Sequence, residues 1–445
     1  MAHGHFGWRY LVHAGALLWA LALPWSPPVA WLLFLAFFAL ANLVLPAWLP
    51  WVLPADRPGS GHLETVHYPA AVLAGFIGFA VPSPALEAGH PWYAWPLLAW
   101  ATLALGDPWL SYWHRRLSRG PSLPWNERKR VLPLILTLVT VTPLLTWFFW
   151  AKMGLPWAWC APAIAMALIA ETIWVGVDDN WLIPFTVCLV AGFHYASSEL
   201  SRMPPAHAVL SAVLPLAFAV IGYARRRLTV GGAFLGWLGS LVLFSAHPAL
   251  FFLLCGFFLL GIAATAYGMP SKERRGIAEN RQGQRGMAEV FGAMGLAVWT
   301  APLALITRHL GGTETEIAQA CLIPAAAWIA KGMDTVSSEI GKAVGGPTYS
   351  PTALRRVPPG TVGGWSLAGS LAGVAAALIL AGIAWICGLA IPWQAGVLLS
   401  IAVAANAVES LWAGFWAQKN IHTGVHANLI MTLSAVFLAW LVFLR

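Results

Sequence analysis

The chain has 445 residues, 59% of them hydrophobic and 9% charged, against roughly 25% charged in an ordinary soluble domain. That composition excludes a soluble globular enzyme, a disordered chain and a disulfide-stapled secreted domain. The formal net charge of +8 reads as an orientation signal of membrane loops, and no nucleic-acid partner is expected.

A span needs about 20 apolar residues, and most of the chain consists of such stretches joined by short polar connectors. The apolar runs are continuous rather than alternating, which predicts an all-α polytopic membrane protein and not a barrel. Spans are expected near residues 9–24, 28–53, 66–83, 91–110, 131–150, 154–176, 180–196, 207–224, 229–246, 247–267, 287–306, 316–332, 364–391, 395–412 and 426–444. The first apolar run continues into a second, so no cleavable leader is expected. Tryptophans near span ends (Trp25, Trp48, Trp92, Trp147) fit interfacial anchors. The five cysteines lie inside apolar runs without a CxxC spacing and read as small buried residues.

If the His114–Arg130 connector is cytoplasmic, alternation puts every Lys and Arg on that side except Lys152, Arg202, Arg308 and Arg445. This places the amino terminus in the cytoplasm and the carboxyl terminus outside, in a bacterial inner membrane. The strings Glu171–Gly176 (ETIWVG) and Glu409–Gly414 (ESLWAG), each followed by an Asn opening the next span (Asn180, Asn428), point to a parallel internal repeat.

Charges are so scarce that their placement is informative. Lys272–Gly286 (KERRGIAENRQGQRG) combines Arg274, Arg275, Arg281 and Arg285, whose guanidinium forks suit phosphate, with glycines that let amides approach an anion. Asn280 and its polar neighbours add nothing to orientation, which favours an anion site over a basic stop-transfer loop. Arg225–Arg227, by contrast, reads as orientation alone.

Lys331–Lys342 (KGMDTVSSEIGK) places Asp334 and Ser338 on one helix face. The carboxylates Asp334 and Glu339 near a membrane surface suit Mg²⁺ (or Mn²⁺), with phosphate oxygens completing its shell. The bland alternative is a solvated helix end whose acids meet Lys331 and Lys342. In Arg355–Gly369 (RRVPPGTVGGWSLAG), Arg356 precedes Gly360, Thr361, Gly363 and Ser366 just before a span, where backbone amides favour phosphate. It is not a Walker A loop. Glu409 and Asn428 sit at span ends facing the same compartment. The spacing of His422 and His426 carries no metal site. Anions, a charge-neutralising metal and an acceptor delivered from the bilayer are what phosphoryl or nucleotidyl transfer to a lipid requires.

These residues carry a resemblance. On 274–286, 334–341, 355–369 and, more loosely, 409–418 with Asn428, residues 205–445 resemble the integral-membrane family of phytyl-phosphate kinases of vitamin E synthesis. The resemblance implies phosphorylation of an isoprenyl monophosphate by a nucleoside triphosphate such as CTP. It implies Asp334 and Glu339 as metal ligands and, with Glu409, as the catalytic acids. Arg274, Arg275, Asn280, Arg281, Arg285 and Arg356 become phosphate ligands, Gly360, Thr361, Gly363 and Ser366 an anion loop, and Asn428 completes the site.

Residues 1–204 form the other expected domain. Within it, 90–200 look like the phytol and dolichol kinases, related to phosphatidate cytidylyltransferases, on Gly106–Asp107, Asn126 with Lys129, and Glu171 through Asp178, Asp179 and Asn180. After Lys129 the chain reads Arg-Val-Leu-Pro where such kinases carry Ser or Thr and an acidic Gly-Ser element. That departure leaves a divergent isoprenol kinase or an inactive partner. Two other functions compete for the whole chain: a lipid cytidylyltransferase, and a repeat-built transporter, which requires polar residues near the bilayer midplane.

Overall fold

The computed structural model describes residues 94–117, 119–124, 126–173, 179–202, 205–279, 283–417 and 424–443. The expected spans 9–24, 28–53 and 66–83, three of the seven in the first copy of the expected repeat (spans 1–7 matching 9–15), lie outside these residues, as do Asp178, Asn280 and Arg281. The chain divides at His194–Tyr195 into two compact units, compared with the expected boundary after residue 204.

The first unit contains α1 (Ala94–Arg116), the short strands β1 (Ser122–Leu123) and β2 (Asn126–Arg130), α2 (Val131–Met153), α3 (Trp157–Thr172) and most of α4 (Asp179–Leu200). Helices α1, α2 and α3 pack on one another. The end of α2 is set locally: Gly154 adopts φ 68°, and the end is closed by backbone N–H bonds to Phe149 O and Trp150 O. Glycine is the residue that takes this left-handed conformation without strain.

The second unit runs through α5 (Pro205–Ala224), α6 (Val230–Ala246), α7 (Pro248–Ala266), α8 (Met269–Arg274), α9 (Met287–Thr300) and α10 (Pro302–His309). It continues with α11 (Glu314–Val344), the strands β3 (Thr348–Ser350), β4 (Arg355–Val357) and β5 (Trp365–Ser366), then α12 (Leu367–Ile386), α13 (Pro392–Ala417) and α14 (Gly424–Phe443).

Every span expected from residue 91 onwards is met by a helix, with one interruption. The run 287–306 breaks into α9 and α10 at Ala301, because Pro302 opens the second helix and has no N–H to continue the first. Six helices among the described residues are long and apolar enough to cross a membrane, and four more are apolar but shorter. Fifteen spans were expected from hydropathy. The all-α expectation misses two small antiparallel sheets, β1–β2 and β4–β3–β5. The latter folds the 345–366 connector back on itself, with Tyr349 opposite both Arg356 and Trp365.

Helix α11 is the axis of the second unit, enclosed by α7, α9, α10, α12, α13 and α14. Ala325, Ala326, Ala327 and Ala330 are fully buried, and small side chains let neighbouring helices come close. Helix α12 rests directly on its backbone. A Cβ on Gly369 would lie 2.6 Å from the Ser337 carbonyl, and one on Gly373 2.9 Å from that of Met333. These two contacts bracket Asp334.

Candidate functional site

Within the second unit, helices α5, α6, α7, α9, α11, α12, α13 and α14 and their connectors line a cavity of about 630 Å³, in the usual range for a ligand pocket. Its polar end carries Arg227, Arg285, Lys331, Asp334, Glu409 and Asn428, and its apolar wall Phe218, Leu254, Phe257, Phe258, Met294 and Trp328.

Lys331, only 7% exposed, organises the polar end. Its ammonium donates to Asp334 Oδ2 one turn further along α11 and to Asn428 Oδ1 of α14 at 2.7 Å. Ser338 Oγ reaches the other Asp334 oxygen at 3.5 Å, so the expected pairing of Asp334 and Ser338 on one face is present. Glu409 on α13 lies within electrostatic reach of both Asp334 and Lys331, and accepts a hydrogen bond from Ser410 Oγ at 3.1 Å. One turn earlier, Asn406 donates to the Ala330 carbonyl at 3.1 Å and fastens α13 to α11. Two carboxylates thus share one lysine. Hard oxygen donors of this kind are those a divalent cation such as Mg²⁺ takes.

Glu339 takes a different place from the one the sequence implied. Lys272 is completely buried and donates to Glu339 Oε2 at 2.7 Å, to Thr265 O at 2.7 Å and to Ala264 O at 3.2 Å. Lys342 donates to the other oxygen, Glu339 Oε1, at 2.9 Å. Burial alone raises a carboxyl pKa, but the charge of Lys342 and the hydrogen bonds from both lysines outweigh it and hold Glu339 below the ordinary carboxylate range. Lysines thus hold both Glu339 oxygens, which ties α8 and the end of α7 to α11, and Glu339 also lines the cavity. Lys272 also closes the carbonyl end of α7, where a cation is electrostatically favoured. No group of three His, Cys, Asp or Glu residues suited to a metal occurs among the described residues.

The arginines divide similarly. Arg285 lines the cavity and pairs with Glu279 at 2.7 Å. Its backbone forms a short parallel ladder with the α5–α6 turn, through Arg285 N to Arg227 O and Thr229 N to Arg285 O, both 2.9 Å. That ladder brings Arg227 onto the cavity wall, where its guanidinium has no ion-pair partner among the described residues. Arg227 was read as orientation only, and the structure moves it into the site. Arg274, Arg275 and Arg356 are absent from the wall. Arg274 bonds to Pro270 O of its own helix, and Arg275 caps the Lys342 carbonyl at 3.1 Å. Arg356 donates to Tyr349 Oη at 3.0 Å and lies over its ring.

Gly360, Thr361, Gly363 and Ser366 all line the cavity, but three are fixed by structural tasks. Thr361 Oγ1 donates to Pro358 O at 2.7 Å, and Ser366 Oγ caps α12 by accepting from Gly369 N. Gly363, at φ 71°, is wedged against α13: a Cβ there would lie 2.5 Å from Ser410 O and 2.7 Å from Gly414 N. Gly363→Ala is therefore expected to destabilise the second unit by about 1–3 kcal/mol, the strain of a side chain in a left-handed, blocked position. Chemical unfolding of the detergent-solubilised protein measures it, and no shift would mean the loop is not seated there.

In the first unit, Lys129 meets the buried Glu171 at 3.4 Å, and Asn126 Nδ2 donates to Thr172 O at 2.8 Å. Gly106 approaches Leu168 of α3 so closely that a Cβ would touch it at 2.4 Å; Asp107, buried beside it, accepts from Ser111 Oγ at 3.4 Å. Asn180 is buried on α4, which begins at Asp179.

These features define a helical membrane protein with a pocket that is polar and acidic at one end and apolar behind. Residues 213–434, nearly the whole second unit, belong to the integral membrane family DUF92. The chain is similar to Protein VTE6, chloroplastic, of Arabidopsis thaliana, 37% identical over 191 residues, which is 43% of this chain and 56% of that protein. It is also similar to the uncharacterized membrane protein sll0875 of Synechocystis sp. (strain ATCC 27184 / PCC 6803 / Kazusa), 39% identical over 157 residues, 35% of this chain and 55% of that protein. The chain thus spans little more than half the length of the curated relatives it matches. No solved structure matches it.

Proposed function

We propose that the second unit is an isoprenyl-phosphate kinase that transfers a phosphoryl group from a nucleoside triphosphate, CTP as the resemblance implies, to an isoprenyl monophosphate at the cytoplasmic face. The observation that carries this reading is the cavity itself, which joins the Asp334–Glu409 acid pair and the uncompensated Arg227 to an apolar interior. The similarity to VTE6 and the family match support the same reading.

In the reaction, an oxygen of the acceptor phosphate forms a bond to the γ-phosphorus, the bond to the β,γ-bridging oxygen breaks, and the nucleoside diphosphate leaves. The acceptor is already an anion, so no general base is needed. Mg²⁺, when bound, would supply charge neutralisation for the phosphates, and Asp334 and Glu409 are the residues that would hold it. Lys331 orients Asp334 and lies within electrostatic reach of Glu409, while Arg227 and Arg285 face the phosphates as fork donors. Arg227→Met is expected to raise KM for an anionic substrate about tenfold, the size of one charged hydrogen bond, with Arg225→Met as the control that leaves kinetics unchanged. Equal effects of the two would return Arg227 to an orientation role.

Incubation with phytol, phytyl phosphate and labelled CTP, followed by product identification, tests the whole reading. Phytyl diphosphate with CDP is the expected outcome. A CDP-lipid with pyrophosphate would instead make the protein a cytidylyltransferase, and no lipid-dependent turnover would favour transport. For the first unit, the ion pair between Lys129 and the buried Glu171, beside Asn126, supports an isoprenol kinase that supplies the monophosphate. Asp107→Ala then blocks conversion of phytol but not of phytyl phosphate.

A further inference from the structure

The part of the cavity wall that α5, α6 and α7 supply contains no charged residue, and can serve as an apolar channel. Helix α6 presents one face to it, through Gly232, Gly236 and Ser240, a stretch about 12 Å long at the α-helical rise. The three positions differ. A Cβ on Gly232 would meet the Arg285 carbonyl at 2.7 Å, so there the helix leans on the basic loop. Ser240 turns its hydroxyl back to the Gly236 carbonyl and is buried. A Cβ on Gly236 would meet nothing within 4 Å, although the residue lines the cavity.

On the wall, Phe257 and Trp328 lie with ring centroids 5.2 Å apart, and Phe218 meets Phe258 edge-on at 5.1 Å. Such a surface stabilises hydrocarbon by excluding water from it. A branched chain needs a wider bore than a straight one, and the missing side chain at Gly236 leaves that room on the α6 wall.

We propose that this channel holds the tail of the acceptor lipid, and that Gly236 is a specificity-determining residue admitting a long isoprenyl chain. The headgroup chemistry rests on the kinase reading above; the tail channel does not.

The test uses the full chain in nanodiscs. In Gly236→Phe, the KM for phytyl phosphate is expected to rise about tenfold or more, as an overpacked apolar contact requires, while the KM for the much shorter geranyl phosphate stays within about twofold. Gly236→Ala is expected to raise the KM for phytyl phosphate less than Gly236→Phe does, because its methyl group fills less of the bore. Equal changes for the two acceptors, or no change for either, would overturn the proposal.

A phytyl phosphate analogue with a photoreactive group in its tail gives a readout independent of turnover. Labelling of the α6–α7 wall in the parent, lost in Gly236→Phe, supports the channel. If the parent is labelled there but forms no diphosphate, the kinase reading falls and the channel stands. If it forms diphosphate but is labelled elsewhere, the channel falls and the kinase reading stands.

Discussion

Asp334→Ala is expected to lower lipid-dependent nucleotide turnover by at least about 10²–10³, the scale of removing one preorganised electrostatic element from a reacting site. The expectation follows from charge. Asp334 and Glu409 are the acids at the polar end whose negative charges are not fully matched, since Lys331 is the one ammonium shared between them. Removing Asp334 leaves Glu409 as the one acid beside Lys331 and so weakens the attraction for a divalent cation. Asp334→Asn keeps the shape and the hydrogen bond to Lys331 but loses the charge, so it is expected to be equally inactive. Both variants should unfold near the parent, because Lys331 retains its bond to Asn428 at 2.7 Å. Full turnover by both variants, assayed with phytyl phosphate and labelled CTP, would remove Asp334 from the site.

The contrast between Asp334 and Glu339 shows where the sequence is readable and where it stops. Composition and hydropathy locate nearly every helix after residue 91, because continuous apolar runs have no other way to satisfy their backbone in a bilayer. The motif around Asp334 is legible because an acid and a serine four residues apart must share a helix face. Glu339 belongs to the same motif, yet its partner Lys272 lies 67 residues away in the chain, and no local spacing announces that contact. Arg227 was hidden for the same reason: only the ladder with Arg285 brings it to the cavity. Asn406 could have been found, since an amide in the middle of an apolar span is costly unless it is used. The Arg356 loop misled because an arginine before glycines fits a phosphate cradle, whereas the β3–β4 pairing sets it against Tyr349. Lone tertiary pairings were the illegible part; faces and periodicities were not.

Lys272→Met is expected to destabilise the protein by about 3–5 kcal/mol, the penalty for breaking a buried ion pair by removing one partner. Lys272 and Glu339 are 0% and 1% exposed, and the substitution leaves Glu339 ionised with Lys342 as its sole cation while stripping a donor from the carbonyls of Ala264 and Thr265. Glu339→Leu added to Lys272→Met removes the stranded charge, so the double variant is expected to recover part of the loss. A double-mutant cycle by chemical unfolding in detergent measures the coupling, and simple additivity would show that the pair is not a latch. The pH dependence has a definite sign. Glu339 titrates below its ordinary value in the folded protein, so its contribution is present above the usual carboxylate range and is lost as pH falls through the lowered value. Lys272→Met is therefore expected to flatten stability on the acid side. Function separates this latch from a metal ligand: turnover of Glu339→Gln is expected to need no more Mg²⁺ than the parent, whereas Glu409→Gln is expected to raise the Mg²⁺ concentration for half-maximal rate about tenfold or more, as loss of one carboxylate ligand implies. The opposite pattern would return Glu339 to the metal and take Glu409 from it.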